Sequence, residues 1–276
     1  GILWTGDKVV ACIDKPTMQF VNPLLKRKAF IWWNFPVSDY VRDRLLLGAV
    51  YGNGTDIDDD ISAFISNPME HAEASKIALF SIADYAWNMD AYKSDASWRR
   101  AVRYLMPGHA AALQVFASHN SDLGGNEHDF RREESEQIRP ALERLLDAYC
   151  REGKREVAAA SAVTEECERM IASADLLLAS DENPALIKEI SPWLIQFKLL
   201  GEYGREVLCM LAAQCDGKKT ELEKAASHAK ALQVLMKKID ATYNQNGFQP
   251  GVKTGSCHLK PAFDRLYQEV VQRTGK

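Results

Sequence analysis

The apolar run Phe30-Ile31-Trp32-Trp33, closed by Asn34, decides the fold class of this 276-residue chain. Two other apolar runs, Ile2–Trp4 and Ala63–Ile65, lie about thirty residues away on either side, a spacing typical of a strand, crossover and strand unit. Apolar runs without apolar/polar alternation are typical of strands that are buried on both faces. The sequence therefore predicts three consecutive parallel strands.

Small polar residues follow each of these runs: Thr5 after Trp4, Asn34 after Trp33, and Ser66-Asn67 after Ile65. In parallel α/β folds the carboxyl ends of the strands face the ligand, so these residues are expected to converge on one pocket. Trp32 would add a flat apolar wall and Asp39 a further acceptor, a combination suited to gripping a sugar ring and its hydroxyls. The alternative is a buried aromatic strand that ordinary turn residues cap.

The rest of the chain carries helical patterns. Single helices are predicted over 71–88, 93–105 and 108–118, before a Gly/Asn-rich break at 120–126. Beyond the break, apolar residues repeat every three or four positions in five stretches, which predicts an antiparallel helical bundle. The predicted domains are residues 1–125, an α/β part, and 126–276, an all-α part, so the chain is mostly helical.

Composition excludes several classes of protein. Apolar residues make up 46% and charged residues 26% of the chain, which are values of a globular protein rather than a disordered one. The net charge is −4 and no dense Lys/Arg stripe occurs, so no nucleic-acid partner and no anionic membrane surface are expected. No apolar run reaches the roughly 18 residues of a membrane span.

No metal or cofactor site is expected. The acidic cluster Asp56 and Asp58–Asp60 resembles the start of a calcium loop, but Ile61 stands where the loop needs Gly and Asn67 where it needs Glu. Histidines occur singly, and the six cysteines form no Cys-x-x-Cys pair. The cysteines are expected to be small buried residues, and their even number is compatible with one or two disulfides. They are Cys12, Cys150, Cys167, Cys209, Cys215 and Cys257.

Several spaced stretches, taken together and in order, form a specific pattern. The stretches are Leu3-Trp4-Thr5-Gly6, Ile31-Trp32-x-Asn34-x-x-x-x-Asp39-Tyr40, Leu47-Gly48, Tyr51-x-Asn53, Ser66-Asn67-Pro68, Glu70–Lys76, Ala83-Asp84-Tyr85-x-Trp87-Asn88, His119–Leu123, Phe130–Ser135 and Asn244-Gln245-Asn246. This pattern resembles glycoside hydrolase family 84, β-N-acetylglucosaminidases that include O-GlcNAcases, and is closest to its bacterial members. The resemblance covers essentially the whole chain.

The resemblance implies the C-terminal strands and helices of a (β/α)8 TIM barrel, followed by the helical bundle. The family's reaction is retaining and substrate-assisted: the acetamido oxygen of the substrate attacks the anomeric carbon. By resemblance, Thr5 and Trp32 contribute to the pocket for the N-acetyl group, Asp39 and Asn67 hold sugar hydroxyls, and Asn34 lines the floor. The substrate would be terminal β-linked N-acetylglucosamine on a glycan or on an O-GlcNAc protein.

The sequence departs from the family in one respect. The family uses an adjacent Asp-Asp pair that supplies its general acid and base, and no segment here matches that pair. The chain starts Gly1-Ile2 without Met, and the pair is expected upstream of Gly1 with the N-terminal half of the barrel. The chain alone is therefore expected to be inactive, and its unpaired strand edges to drive self-association. A bacterial family member would be periplasmic or secreted. Two alternatives stay open: a helical interaction or glycan-binding module without catalysis, and a self-contained enzyme that uses Asp39 and residues 56–60.

Overall fold

The computed structural model describes residues 2–121, 134–247 and 249–274. Their contacts define two compact units. The first contains the described residues up to Ser121 together with Asp181–Glu189, and the second contains Glu134–Ser180 and the residues from Ile190 onward. The predicted domain boundary at 125/126 lies outside the described residues and stays a prediction.

A parallel three-stranded sheet organises the first unit, as predicted. Its strands are β1 (Leu3–Trp4), β2 (Ala29–Trp33) and β3 (Ile61–Ser66), in that spatial order. Trp4 lies beside Ile31 and Trp33 beside Ser66, so all three strands end at the same edge of the sheet. Polar residues that follow the strands are therefore delivered to one side of the unit.

Helices lie between and after these strands in the described part of the first unit. The predicted helices are present as α2, α3 and α4, whereas α1, between β1 and β2, was not predicted. Asp14 caps α1 by accepting a hydrogen bond from the Thr17 backbone at 2.9 Å. Pro23 interrupts the apolar pattern of α1, which concealed the helix. The bounds are α1 Lys15–Leu25, α2 Ala72–Trp87, α3 Ser94–Leu105 and α4 Ala110–Ser118.

Aromatic side chains form the core beneath the sheet. The ring of Trp33, which has no exposed surface, lies 4.9 Å from that of Phe35 and 5.8 Å from that of Phe64. Phe64 continues to Tyr85 of α2 at 5.9 Å. Trp33 Nε1 donates to the Ala11 carbonyl at 2.7 Å, so the indole N–H keeps a hydrogen-bond partner although the ring is buried.

Five helices contribute to the described part of the second unit, as the apolar periodicity predicts. A short antiparallel ladder, β4 (Asn244–Asn246) with β5 (Gln249–Pro250), precedes the last helix and was not predicted, because its polar sequence carries no alternation. The helices are α5 Arg139–Glu152, α6 Val157–Leu178, α7 Pro184–Cys215, α8 Lys219–Tyr243 and α9 Leu259–Thr274, with α7 continuing through Pro192.

Specific polar and glycine contacts join helices of the second unit. The Tyr203 hydroxyl donates to Asp264 at 3.0 Å and accepts from Gln233 at 2.7 Å, linking α7, α9 and α8. A Cβ at Gly204 would lie 2.5 Å from the Phe263 ring and 2.8 Å from Cys167 Sγ, so only glycine allows this approach of α7 to α9 and α6.

Two expectations from composition can be compared with the described residues, which include all six cysteines. None of the six forms a disulfide. Cys167 is buried as expected, but Cys209 and Cys215 are exposed at the surface of α7, so the prediction of burial was wrong for these two.

Over the described ranges, no helix has both the length and the apolar character needed to cross a membrane.

Candidate functional site

The amide of Asn34 lies at the centre of a polar cluster at the carboxyl edge of the sheet. Its Oδ1 accepts from Trp32 Nε1 at 2.9 Å and from Asn67 Nδ2 at 3.0 Å. Its Nδ2 donates to the Val9 carbonyl at 2.7 Å. Asn34 thus joins the ends of β2 and β3 to the loop that follows β1. The structure also brings together three residues that the sequence analysis singled out: Trp32, Asn34 and Asn67.

Trp32 points to the opposite face of the sheet from Trp33, because side chains alternate along a strand. Trp32 is half-buried, and its register neighbour Ile65 is 38% exposed. Leu3 on β1 is 51% exposed. This face of the sheet therefore presents an apolar surface in the described structure, with the Trp32 ring beside the polar cluster.

Thr5 and Asp39 stand apart from the Asn34 cluster. Thr5 follows β1 at the same edge of the sheet, and its hydroxyl donates to the Lys8 carbonyl at 3.1 Å. Asp39 lies exposed in the turn after Ser38. Within the described residues, no hydrogen bond joins either side chain to Asn34, Trp32 or Asn67.

The loop between β1 and α1 contributes a group that sequence reasoning missed, the Val9 carbonyl. Gly6 allows this loop to turn, because its φ of +98° is unfavourable for other residues and an added Cβ would lie 2.8 Å from Ala11 Cβ. A backbone acceptor leaves no signal in residue type, so sequence reasoning could not single out the Val9 carbonyl.

The loop between β3 and α2 holds Asn67 in place. The Asn67 backbone donates to the Trp33 carbonyl at 3.0 Å, and the Ser66 hydroxyl donates to the Phe35 carbonyl at 2.7 Å. Further along, Met69 is buried, and its sulfur accepts from the Leu46 backbone at 3.2 Å. The Asn67 amide is therefore presented from a loop that is fixed at several points.

A titratable group lies at the end of this loop. Burial lowers the pKa of His71, and the nearby carboxylates of Glu189 and Glu70 oppose that shift. His71 precedes the first residue of α2. The neutral imidazole is therefore favoured where the loop enters the helix.

The donor set of the described residues offers no metal centre, since no group of three or more His, Cys, Asp or Glu side chains is placed to hold an ion there. The acidic cluster forms a 3-10 turn, Asp58–Asp60, that leads into β3. Its Asp60 carboxylate pairs with Lys15 of α1 at 2.6 Å. The cluster thus lies at the start of β3, away from the edge that carries Asn34.

Two family models match consecutive parts of the chain. Residues 1–118 match a model described as beta-N-acetylglucosaminidase, and residues 134–267 match one described as the bacterial GH84 post-catalytic domain. The chain belongs to glycoside hydrolase family 84. Protein O-GlcNAcase of Rattus norvegicus and that of Mus musculus are each 33% identical to it over 96 residues, which cover 34% of this chain and 10% of the relative.

Solved structures resemble almost the entire chain. CpGH84D is 27% identical with a TM-score of 0.85, over 98% of this chain and 45% of that one. Two others show the shared fold: CpGH84B, 24% identical with a TM-score of 0.85 over 96% of this chain and 44% of that one, and a mutant Thermobaculum terrenum O-GlcNAc hydrolase, 21% identical with a TM-score of 0.76 over 99% and 57%. The chain thus spans about half the length of these structures.

Proposed function

We propose that this chain forms part of a retaining, substrate-assisted β-N-acetylglucosaminidase that removes terminal β-linked N-acetylglucosamine. The observation that carries the proposal is the Asn34 cluster, in which one amide oxygen receives both Trp32 Nε1 and Asn67 Nδ2 at the carboxyl edge of a parallel sheet. Membership of family 84 supports the same activity.

The unused hydrogen-bonding capacity of the cluster fits a sugar ligand. Asn67 donates one amide hydrogen to Asn34 Oδ1, and its own Oδ1 accepts no hydrogen bond from the described residues. Asp39 offers an exposed carboxylate in the turn after β2. These are acceptors for sugar hydroxyls, and Trp32 supplies an apolar ring face on which a pyranose can stack.

Each subsite residue receives a role in this proposal. Thr5 and Trp32 line the pocket for the N-acetyl group, and Asn67 and Asp39 bind hydroxyls of the ring. Asn34 positions the side chains of Trp32 and Asn67 through its hydrogen bonds. The acetamido oxygen of the substrate attacks the anomeric carbon as the glycosidic C–O bond breaks, and the general acid protonates the departing aglycone oxygen. The acetamide N–H gives its proton to the other carboxylate of the Asp-Asp pair, and water then opens the resulting oxazoline. The protein needs no nucleophile of its own for this chemistry.

The proposal divides the work between this chain and residues outside it. We assign the general acid and base to an Asp-Asp pair in sequence that precedes Gly1, so the 276-residue chain alone is inactive. The part up to about residue 125 would complete a TIM barrel with that preceding sequence, and the remainder would be the helical domain. Acid-base and electrostatic help are each worth about two orders of magnitude or more, so their loss abolishes measurable turnover.

Kinetics of the full-length protein with an aryl N-acetyl-β-glucosaminide test the proposal. Asn67→Ala is expected to lower kcat/KM by roughly tenfold to a hundredfold, because a hydrogen bond to the substrate is lost in a partly buried site. Asn22→Ala is the matched control, since Asn22 bonds the chain at the opposite end of β2. Equal kcat/KM in wild type and Asn67→Ala would contradict the proposed subsite.

The 276-residue chain alone provides a second arm. Its turnover is expected not to exceed that of a Trp32→Ala, Asp39→Asn double variant, and measurable activity above that background would overturn the division of labour. If the full-length protein neither hydrolyses the glucosaminide nor binds N-acetylglucosamine, the outcome favours the interaction-module alternative instead.

A further inference from the structure

The segment Asp181–Glu189 packs with the first unit although it follows α6 of the second in sequence. Two of its carboxylates accept hydrogen bonds from backbone groups at helix starts of the first unit. Glu182 accepts from the Gly108 backbone at 2.7 Å, just before α4. Glu189 accepts from the Ala74 backbone at 2.7 Å, in the first turn of α2.

The start of α2 depends on Glu189 because it lacks a cap of its own. The first N–H groups of a helix have no partner within the helix and are usually satisfied by a side chain at the N-cap position. His71 occupies that position in α2, and its side chain makes no capping hydrogen bond. Ala74 is fully buried, so without Glu189 its N–H would lose the acceptor that compensates its burial.

Contacts of the first turn of α2 extend to the loop that carries Asn67. The Ser75 hydroxyl lies 2.8 Å from the His71 carbonyl and 3.4 Å from the Met69 carbonyl. Met69 is only two residues from Asn67 and is buried. These contacts connect the first turn of α2 to the part of the loop next to Asn67, whose Nδ2 lies 3.0 Å from Asn34 Oδ1.

We infer that Glu189 is a positioning residue for the sugar subsite: its carboxylate fixes the first turn of α2 and, through residues 69–75, the orientation of Asn67. The inference rests on the proposed function for what Asn67 binds. Ligand affinity then depends on a residue 122 positions beyond Asn67, in a helix that follows the predicted barrel part of the sequence.

Glu182 provides the matched control for Glu189. It belongs to the same segment, also carries a carboxylate, and also accepts from a backbone N–H at a helix start, with His109 Nδ1 as a second contact at 3.0 Å. The helix that it serves is α4, which does not carry the Asn67 loop. A loss of affinity caused only by weaker packing of the segment would therefore appear in Glu182→Ala as well as in Glu189→Ala.

A double-mutant cycle in the full-length protein tests the inference. The probe is the thiazoline analogue of the N-acetylglucosamine oxazoline, with affinity measured by calorimetry. Glu189→Ala is expected to weaken binding roughly threefold to tenfold, a range set by the loss of one helix cap. Glu189→Gln keeps an acceptor oxygen and is expected to bind as wild type does, and Glu182→Ala likewise.

The cycle with Asn67→Ala separates positioning from general damage. If Glu189 acts through Asn67, Glu189→Ala has no further effect on affinity in the Asn67→Ala background. Equal fold-losses in both backgrounds, or a loss in Glu182→Ala as large as that in Glu189→Ala, would overturn the inference. Failure of the proposed function is distinct: the wild type would not bind the thiazoline, or Asn67→Ala would bind it as tightly as wild type.

Discussion

Asn67 Nδ2 donates to Asn34 Oδ1 at 3.0 Å, and this bond joins the ends of the two longest strands of the sheet. The same oxygen also accepts from Trp32 Nε1, so both of its lone pairs are used. Asn34 therefore acts as the fixed centre of the cluster, while the side chains of Asn67 and Trp32 are only partly buried.

Replacing Asn34 with Leu is expected to reduce both stability and ligand affinity. The change removes an acceptor from Trp32 and Asn67 and a donor from the Val9 carbonyl, at a cost of about 1–3 kcal/mol in the free energy of unfolding. Affinity for the thiazoline analogue should fall by about tenfold or more.

Asn22 supplies the control for this change, because its side chain bonds Ala29 N at 2.9 Å and the Asp60 carbonyl at 2.7 Å at the other end of β2. Asn22→Leu should cost similar stability in urea unfolding and leave affinity unchanged. Similar losses of affinity in both variants would show that the site responds to sheet stability alone.

The two adjacent tryptophans should respond differently to replacement by Ala. Trp33 is fully buried among Phe35 and Phe64, so Trp33→Ala should lower the free energy of unfolding by about 3–5 kcal/mol. Trp32 is half-buried, so its replacement should cost clearly less stability but abolish detectable binding of the analogue. Chemical denaturation and calorimetry on the two variants measure this contrast, and the reverse order of stabilities would contradict the assigned faces.

Acid should destabilise the chain in part through His71. Burial lowers the folded-state pKa of His71 below the ordinary 6.5, so the unfolded chain binds more protons between the two values. Stability therefore falls as the pH decreases through about 6.5 and levels off below the folded-state pKa. His71→Asn removes this titration and places a favourable residue at the N-cap of α2. The difference in Tm between about pH 7.5 and about pH 5 should be smaller in the variant, and an equal or larger difference would exclude this role for His71.

Gly204→Ala should destabilise the second unit although alanine favours helices by up to about 1 kcal/mol over glycine. The new methyl group would lie 2.5 Å from the Phe263 ring, and such overpacking costs about 1–3 kcal/mol. Thermal unfolding should therefore show a lower Tm, whereas a raised Tm would mean that α9 can move away without loss.

The 276-residue chain expressed alone should self-associate. In the described structure β1 and β3 are the sheet edges, and Leu3 and Ile65 expose apolar surface on one face. A light-scattering mass above that of one chain is expected, and a Leu3→Lys, Ile65→Lys double variant should shift it toward the monomer. A compact monomer for the unmodified chain would contradict this expectation.

Much of the fold could be predicted because its signals are local. The apolar runs at residues 2–4, 30–33 and 63–65 marked the strands, and periodicity marked the helices of the second unit. Helix α1 was missed because Pro16 and Pro23 lie in a segment whose apolar face is short. The buried residues of that face are Thr17, Met18 and Val21. The exposed Cys209 and Cys215 were missed because residue type predicts burial only on average.

The candidate site was predictable where the chain direction itself brings residues together. Asn34 and Asn67 follow neighbouring parallel strands, so their meeting follows from topology. The Val9 carbonyl and Glu189 could not be predicted, since a backbone acceptor has no residue signature and Glu189 meets Ala74 across 115 positions of sequence. The substrate-binding roles of all five residues stay predictions, supported by the family resemblance, and Thr5 and Asp39 are not joined to the Asn34 cluster by a hydrogen bond in the described structure.

Hydrolysis of a matched pair of substrates by the full-length protein tests the central claim most directly. The pair is an aryl N-acetyl-β-glucosaminide and the corresponding aryl β-glucoside, which lacks the acetamido group that would attack the anomeric carbon. The account predicts turnover of the glucosaminide, lost or strongly reduced in Asn67→Ala, and no measurable turnover of the glucoside. Hydrolysis of both substrates at similar kcat/KM, or of neither, would contradict it.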